Sequence, residues 1–373
     1  MKYCKKCLMP DTRPGIKFVK GVCIACIHYE NQKKIRWNER KKELKNICEK
    51  YKDKNKKDYD CIIAVSGGKD SHYQVYYMKE VMKMNPLLLS VGNMDYTKTG
   101  KENLDNLSET FSCDMLIHKP NLNLLKKLSR ITFEEYGSPS WYIDALLYSF
   151  PIRMATKLGI ELVIYGEDVN YTYGGKYDSE TPSAKLQSKN DVVKPIEKKL
   201  IKKYNVSEKE LFSATYPSEK EISKSKINPI YLSYFIPWDS HHNFLVAQKF
   251  GFKHLGHEHV REGTLENYNS IDSLTYLLNQ FLKYPKFGHA SATEMASRWI
   301  RSGLKTREEM IPFVKELDNK LDQEIIDNFC KFTNMSKRYF FEVLDKWYNP
   351  KLFFKDRDGV WKKKFIVGKG MKQ

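Results

Sequence analysis

The chain has no apolar run long enough to cross a bilayer, and Met1-Lys2-Tyr3-Cys4-Lys5-Lys6-Cys7 lacks the apolar core of a secretion signal. Both absences set the expectation of a cytoplasmic protein with no membrane partner. Acidic residues are in the minority, with 46 Asp and Glu against 64 Lys and Arg and a formal net charge of +18. Yet no arginine-rich stripe with interleaved aromatics collects the excess. The lysines are dispersed, as at Lys41-Lys42, Lys198-Lys199 and Lys362 to Lys364, and read as a solvated surface rather than a nucleic-acid face. Such a surface also favours an acidic, nucleotide-linked substrate. No internal repeat recurs, which argues against a solenoid. What remains, 373 residues with 41% hydrophobic and 13% aromatic content, fits a globular enzyme of roughly two to three structural units.

Within that composition one run carries most of the chemistry. Ser66-Gly67-Gly68-Lys69-Asp70-Ser71 follows an apolar strand pattern, Asp60 to Val65, and precedes a helical pattern from His72 to Val81. A strand, a glycine-rich turn and a helix N-terminus make an anion site. The glycines let backbone N–H groups converge, and the helix dipole adds partial positive charge where phosphate would lie. An ordinary Gly-Gly turn with serine caps is the alternative, and the flanking elements argue against it. The glycine-to-lysine spacing is too short for a Walker loop.

Cys4, Cys7, Cys23 and Cys26 form C-x2-C-x15-C-x2-C, a spacing that suits a structural zinc site whose thiolates close a tetrahedral shell. A disulfide pair and an iron–sulfur cluster are the alternatives, and a reducing compartment disfavours the first. Cys48, Cys61, Cys113 and Cys330 are dispersed and read as core or surface residues.

Along the chain, residues 1–30 form the cysteine module. Residues 31–57, rich in Lys, Glu and Arg with Ile35, Trp37, Leu44, Ile47 and Tyr51 interspersed, form a connecting helix. Residues 58–235 alternate between strands at 60–65, 86–91, 115–118, 160–165 and 230–235 and helices at 102–111, 122–135 and 143–157. The last helix is expected to break at Pro151. An irregular stretch at 176–228 reads as a mobile insertion or lid. Residues 236–373 read as a mainly helical C-terminal region for substrate or partner. Short apolar strands separated by helices imply an α/β fold with a doubly wound parallel sheet, whose ligands bind beyond the strand C-termini.

That topology brings the glycine-rich loop, Asp95 and Gly166-Glu167-Asp168 to one edge. There Lys69 is expected to neutralise phosphate charge, Asp70 to hold Mg²⁺ with Glu167 or Asp168, and Asp95 to lie near the nucleoside, with a capping or surface role the alternative for each carboxylate. Further on, Arg298 and Arg301 share a helix face and suit a phosphate or carboxylate, or else an exposed helix end. Trp238, Tyr171 and Tyr173 suit stacking on a sugar or base, or packing. Lys286 is a further candidate for substrate contact, and the pair His257 and His259 a weak candidate for metal.

Ser66 to Ser71 resembles the PP-loop of the ATP pyrophosphatases. The whole pattern is similar to the N-acetyl sugar amidotransferase family of bacterial surface-sugar pathways. Four stretches carry this resemblance: Tyr3 to Pro14, Ala64 to Ser71, Tyr165-Gly166-Glu167-Asp168, and Lys283 to Gly288 with Arg298-Trp299-Ile300-Arg301-Ser302-Gly303. It implies a PP-loop (adenine nucleotide alpha hydrolase-like) fold with a zinc knuckle and a helical C-terminal region. It also implies ATP, Mg²⁺ and Zn²⁺, with Lys69, Asp70 and Asp168 catalytic and Ser66, Gly67, Gly68, Ser71, Asp95, Gly166 and Glu167 on the nucleotide. The implied reaction turns the acetamido group of a nucleotide-activated sugar into an acetamidino group by adenylation and ammonia attack. Ammonia would come from partners similar to the HisH glutaminase and the HisF barrel, since no cysteine here sits in a recognisable nucleophile turn. The run His289 to Glu294 departs from the family's more usual pattern and leaves the sugar open. The rival is a PP-loop enzyme of tRNA modification, by thiolation or lysidine formation, against which stands the absence of a third C-x2-C.

Overall fold

The computed structural model describes residues 1–54, 58–93, 95–175, 180–185, 187 and 196–372. The cysteine module is a short hairpin, β1 (Phe18–Val19) and β2 (Val22–Cys23), that runs straight into helix α1 (Ile24–Gln32). Helix α2 (Trp37–Lys54) connects it to the sheet. Then come β3 (Cys61–Val65), α3 (Lys69–Tyr76), β4 (Pro86–Val91), α4 (Lys98–Phe111), β5 (Met115–His118), α5 (Leu122–Tyr136), α6 (Trp141–Leu158) and β6 (Leu162–Tyr165). Short helices α7 (Val169–Tyr173), α8 (Lys198–Lys203) and α9 (Glu219–Lys224) precede β7 (Asn228–Tyr231).

The five strands β3 to β7 form one sheet in the order β5-β4-β3-β6-β7, and every neighbouring pair is parallel. Alternation along β3 explains the double winding. Cys61, Ile63 and Val65 enter a core with α2, α3 and α4, whereas Ile62 enters a core with Ile152 and Ala155 of α6. The chain first builds outward from β3 to β5 and then returns to build β6 on the other side. The order therefore reverses between β3 and β6, where a crevice opens beyond their C-terminal ends.

Several sequence expectations are corrected. Helix α6 runs unbroken through Pro151. Proline removes one N–H and leaves the carbonyl four residues earlier without its usual partner, but burial of Leu146, Ile152 and Ala155 against the sheet holds the helix together. The strand expected at 230–235 ends at Tyr231. Leu232–Phe235 then forms a helical turn, α10, closed by the Ile236 N–H on the Leu232 carbonyl at 3.2 Å, while the Ser233 N–H donates across to the Gly166 carbonyl at 2.9 Å. Of the stretch 176–228, residues 176–179, 186 and 188–195 lie outside the described residues, and the part after them carries α8 and α9. The 31–57 helix spans Trp37–Lys54, with 55–57 outside the described residues.

The C-terminal region holds α11 (Ser240–Lys249), α12 (Leu274–Phe281), α13 (Lys283–Phe287), α14 (Ser291–Arg301), α15 (Arg307–Leu317), α16 (Gln323–Thr333) and α17 (Lys337–Trp347). It is not helical to its end. Two hairpins close it, β8 (Phe353–Lys355) with β9 (Trp361–Lys363) and β10 (Phe365–Ile366) with β11 (Gly370–Met371). Asp358-Gly359 between aromatic residues was the signal for the first, and Gly359 has φ 76°. The cores also cross the segment boundaries drawn from the sequence. Trp238, Val246 and Phe250 pack with the sheet, Phe133 packs with α12, α16 and α17, and Tyr3 and Leu8 pack with Phe353 and Phe365.

Candidate active site

The loop after β3 is shaped by two local constraints. Gly67 has φ +89°, and a Cβ there would meet the backbone of Leu104 at 3.0 Å. The Ser66 N–H donates to Ser71 Oγ at 2.9 Å, which closes the turn on itself. Gly68 then caps α3, so Lys69, Asp70 and Ser71 occupy the helix's first turn. A buried histidine that sequence reasoning missed anchors this turn. His72 Nδ1 lies 3.1 Å from the Gly68 carbonyl, and Nε2 lies 3.1 Å from Asn106 Nδ2. The tautomer that satisfies both carries its proton on Nδ1. Burial pushes the imidazole down to about 4, so it stays neutral.

Lys69 is buried, and its ammonium bonds the Asp70 carboxylate. Asp70 Oδ1 also accepts from Asn243 Nδ2 at 2.7 Å, a partner on α11 and far away in sequence. Across the crevice, Glu167 follows β6, and the Tyr173 hydroxyl lies 2.9 and 3.0 Å from its two oxygens. Burial, and then the negative charge of Asp70, raise Glu167 to about 7; Lys69 and Arg298 oppose the shift. Gly166 lets the chain pass closely here, since a Cβ would meet Gln74 Nε2 at 2.8 Å and the Trp238 ring at 3.0 Å.

These groups line one cleft enclosing about 670 Å³, part of it open to solvent. Its walls come from five places. The loop gives Lys69 and Asp70, and the β6 end gives Glu167 and Tyr173. Helix α1 gives His28 and Tyr29, the approach to α11 gives Trp238 and Asp239, and α14 gives Arg298 and Arg301. Glu266, also in the lining and absent from the sequence expectations, accepts from Trp299 Nε1 and holds Arg298 Nη2 at 3.1 Å. Burial opposes the charge on Arg298, but Glu266, Tyr173, Glu294 and Glu167 together outweigh it and keep the guanidinium above its ordinary value.

The other expected residues are placed elsewhere. Asp168 caps α7, accepting from the N–H groups of Asn170 at 2.9 Å and Tyr171 at 3.4 Å, and does not line the cleft. Asp95 is buried at the start of α12, where its oxygens accept from Ser273 Oγ at 2.9 Å and the Thr275 N–H at 2.7 Å. Lys286 reaches the C-terminal end of α5 and donates to the Gly137 carbonyl at 2.6 Å. Tyr171, by contrast, does line the cleft, with one face of its ring stacked on His28 at a centroid distance of 4.2 Å. His259 lies beside Asp322 and Glu324 rather than converging with His257 on a metal.

Among the described residues the four-cysteine quartet is the one cluster of His, Cys, Asp or Glu able to hold a metal ion. Its sulfurs all lie within 4.8 Å of one another, with Cys4 to Cys26 at 3.9 Å and Cys7 to Cys23 at 3.7 Å. A tetrahedral thiolate shell with bonds of about 2.3 Å places sulfurs ~3.8 Å apart, so the set fits a single ion with no open position. The N–H groups of Lys6 and Cys23 point at Cys4 Sγ at 3.4 and 3.3 Å, and that of Met9 at Cys7 Sγ at 3.4 Å, which suits thiolates. No disulfide is formed by any cysteine. No described helix is long and apolar enough to cross a membrane.

Residues 262–366 match the family model described as LPS biosynthesis protein WbpG-like, C-terminal domain. This segment contains Glu266, Arg298 and Arg301, and the match supports the family resemblance read from the sequence. The uncharacterized protein MJ1599 of Methanocaldococcus jannaschii is 28% identical over 156 residues, 41% of this chain and 53% of that protein, so the chain spans about half of that relative's length. Among solved structures, an NH3-dependent NAD synthetase from Campylobacter jejuni aligns at 15% identity and TM-score 0.28, covering 52% of this chain and 93% of that one. An NMN synthetase from Francisella tularensis aligns at 11% identity and TM-score 0.24, covering 58% and 95%.

Proposed function

We propose that this chain is an ATP-dependent amidotransferase that converts the acetamido group of a nucleotide-activated sugar to acetamidino in a cytoplasmic step of lipopolysaccharide or related surface-sugar synthesis. The observation that carries the reading is the meeting, in one cleft, of the Lys69-Asp70 loop, Glu167 and the arginines of the WbpG-like segment. An amide is a poor electrophile and its oxygen a poor leaving group, so it must be activated. The acetamido oxygen attacks the α-phosphorus of ATP, forming a C–O–P link and breaking the α–β anhydride to release pyrophosphate. Ammonia then adds to the imidate carbon, the C–O bond breaks and AMP leaves. Catalysis of both steps is mainly positioning and charge stabilisation.

In this reading Lys69 offsets charge developing on pyrophosphate. Asp70 and Glu167 are the cleft carboxylates whose mutual repulsion a divalent cation would relieve, and Mg²⁺ takes such a site with phosphate oxygens and water. Bound there, Mg²⁺ would supply charge neutralisation. Zn²⁺ in the cysteine quartet would have a structural role.

Ammonia comes from a partner glutaminase in this reading, delivered through a HisF-like barrel. What supports it is the state of the remaining thiols. Cys48, Cys61, Cys113 and Cys330 are all buried, burial pushes Cys48 up to about 12, and it raises Cys61 well above the ordinary range. None is an activated nucleophile. The same observation weighs against thiolation of tRNA. The test is mass spectrometry of N-acetylated sugar nucleotides after incubation with ATP, Mg²⁺ and ammonium. Amidine should form together with AMP and pyrophosphate, whereas glutamine should serve only once a glutaminase is added. Release of ADP and phosphate, or glutamine-dependent turnover by the chain alone, would overturn the reading.

A further inference from the structure

Arg298 and Arg301 sit three residues apart in the last turn of α14, and both line the cleft opposite the Lys69-Asp70 loop. Arg298 Nε and Arg301 Nη1 are both shielded from solvent without a hydrogen-bond partner. A hidden guanidinium N–H with no acceptor carries a desolvation cost that an incoming oxyanion would remove. Arg298 cannot turn away to find water. Its Nη2 edge is held by Glu266, which is 1% exposed and also accepts from Trp299 Nε1 and Asn269 Nδ2. That carboxylate is fully engaged, so the Nε edge is left for another partner.

The charge distribution separates two anion positions. Among the described residues Lys69 is matched by Asp70 and Arg298 by Glu266, whereas Arg301 pairs with no carboxylate and its charge is felt only by more distant groups such as the Cys7 thiol. The unmatched positive charge therefore lies on the α14 wall, not on the loop. The two walls are close. Arg298 Cζ is 5.9 Å from the centroid of Tyr173, and the hydroxyl of that ring contacts Glu167. A planar fork of N–H donors suits phosphate oxygens, which it can meet two at a time.

We propose that Arg298 and Arg301 form a second anion subsite that holds the phosphate oxygens of the acceptor's nucleoside diphosphate, while the loop wall holds ATP. Glu266 is the positioning residue that aims Arg298. This rests on reading the cleft as an ATP-dependent transferase site and adds which wall takes which phosphates.

The test is calorimetric titration of the full chain with two probes, UDP and a non-hydrolysable ATP analogue with Mg²⁺. Arg301→Gln should weaken UDP by about tenfold while leaving the analogue within about twofold, and Arg301→Lys should lose less. Lys69→Ala should show the reverse preference. Glucuronate is the third arm, because a sugar carboxylate presents the same oxyanion chemistry. The proposal is overturned if UDP does not bind the unaltered chain or binds Arg301→Gln unchanged. It is also overturned if the analogue weakens as much as UDP, or if the loss falls on glucuronate alone. Melting curves confirm that each variant is folded. Failure of the transferase reading shows separately, as ATP cleavage to ADP, and does not depend on UDP.

Discussion

The two walls of the cleft are built by opposite means. On the loop wall, Ser66 to Ser71 are contiguous, and one strand, one turn and one helix place their backbone, with Asn243 of α11 as a distant partner of the Asp70 side chain. On the far wall, Tyr29, Trp238, Glu266 and Arg301 come from distant parts of the chain and meet only after the cysteine module and the C-terminal helices have packed on the sheet. A contiguous wall tolerates disturbance elsewhere, because its geometry is local. An assembled wall inherits the stability of every piece that forms it.

The largest effect expected from this contrast is chemical and confined to the loop. Lys69→Ala should lower pyrophosphate release by about 100-fold or more with the melting temperature nearly unchanged. A variant that keeps most of its release would show that the loop wall is not where ATP reacts.

The cysteine quartet gives the sharpest test of the far wall. Cys26 and the cleft residues His28 and Tyr29 share α1, so metal loss should loosen a cleft wall and not merely a remote module. A Cys4→Ser, Cys26→Ser chain should carry no zinc by elemental analysis and be cut by protease in its first residues. It should lose affinity for UDP by about tenfold while still binding the ATP analogue. Equal loss of both ligands would erase the distinction between the walls.

Glu167 sits where the walls meet, and its pH response reads their coupling. Its carboxyl titrates near 7 because burial and Asp70 both oppose its charge. Below that pH a proton must leave before a cation binds, so Mg²⁺ affinity should fall by up to about tenfold per pH unit. The Mg²⁺ requirement of pyrophosphate release should therefore rise as the medium is acidified from slightly alkaline, and Glu167→Gln should flatten the response. An unchanged slope in that variant would assign the titration to another group.

Smaller effects come from backbone and caps. Gly67→Ala should cost about 1–2 kcal/mol in a denaturant melt, because it forces a left-handed residue against Leu104. Gly68→Ala, at φ −69° and with its nearest neighbour at 3.5 Å, should cost less than about 0.5 kcal/mol. Lys286→Ala removes a donor from the end of α5 and should cost about 1 kcal/mol with pyrophosphate release unchanged. A fall in release would return Lys286 to the cleft.

The residues themselves made the loop, the cysteine quartet and the parallel sheet legible, because each depends on short-range order. Alternating apolar strands, a glycine turn before a helix and paired C-x2-C spacings are set by neighbours within a few residues. The roles of Asp95, Asp168 and Lys286 were not legible. A carboxylate after a strand reads the same whether it faces a ligand or caps a helix, and only packing placed α12 and α7 where two of these became caps. Asn243 on Asp70 and Glu266 on Arg298 had no sequence signal, since each pair joins residues far apart in the chain. The sequence by itself determined the glycine-rich turn that joins β3 to α3. The tertiary structure decided which charges face it, because a side chain's partner across a cleft is chosen by the approach of whole elements and not by its own neighbours.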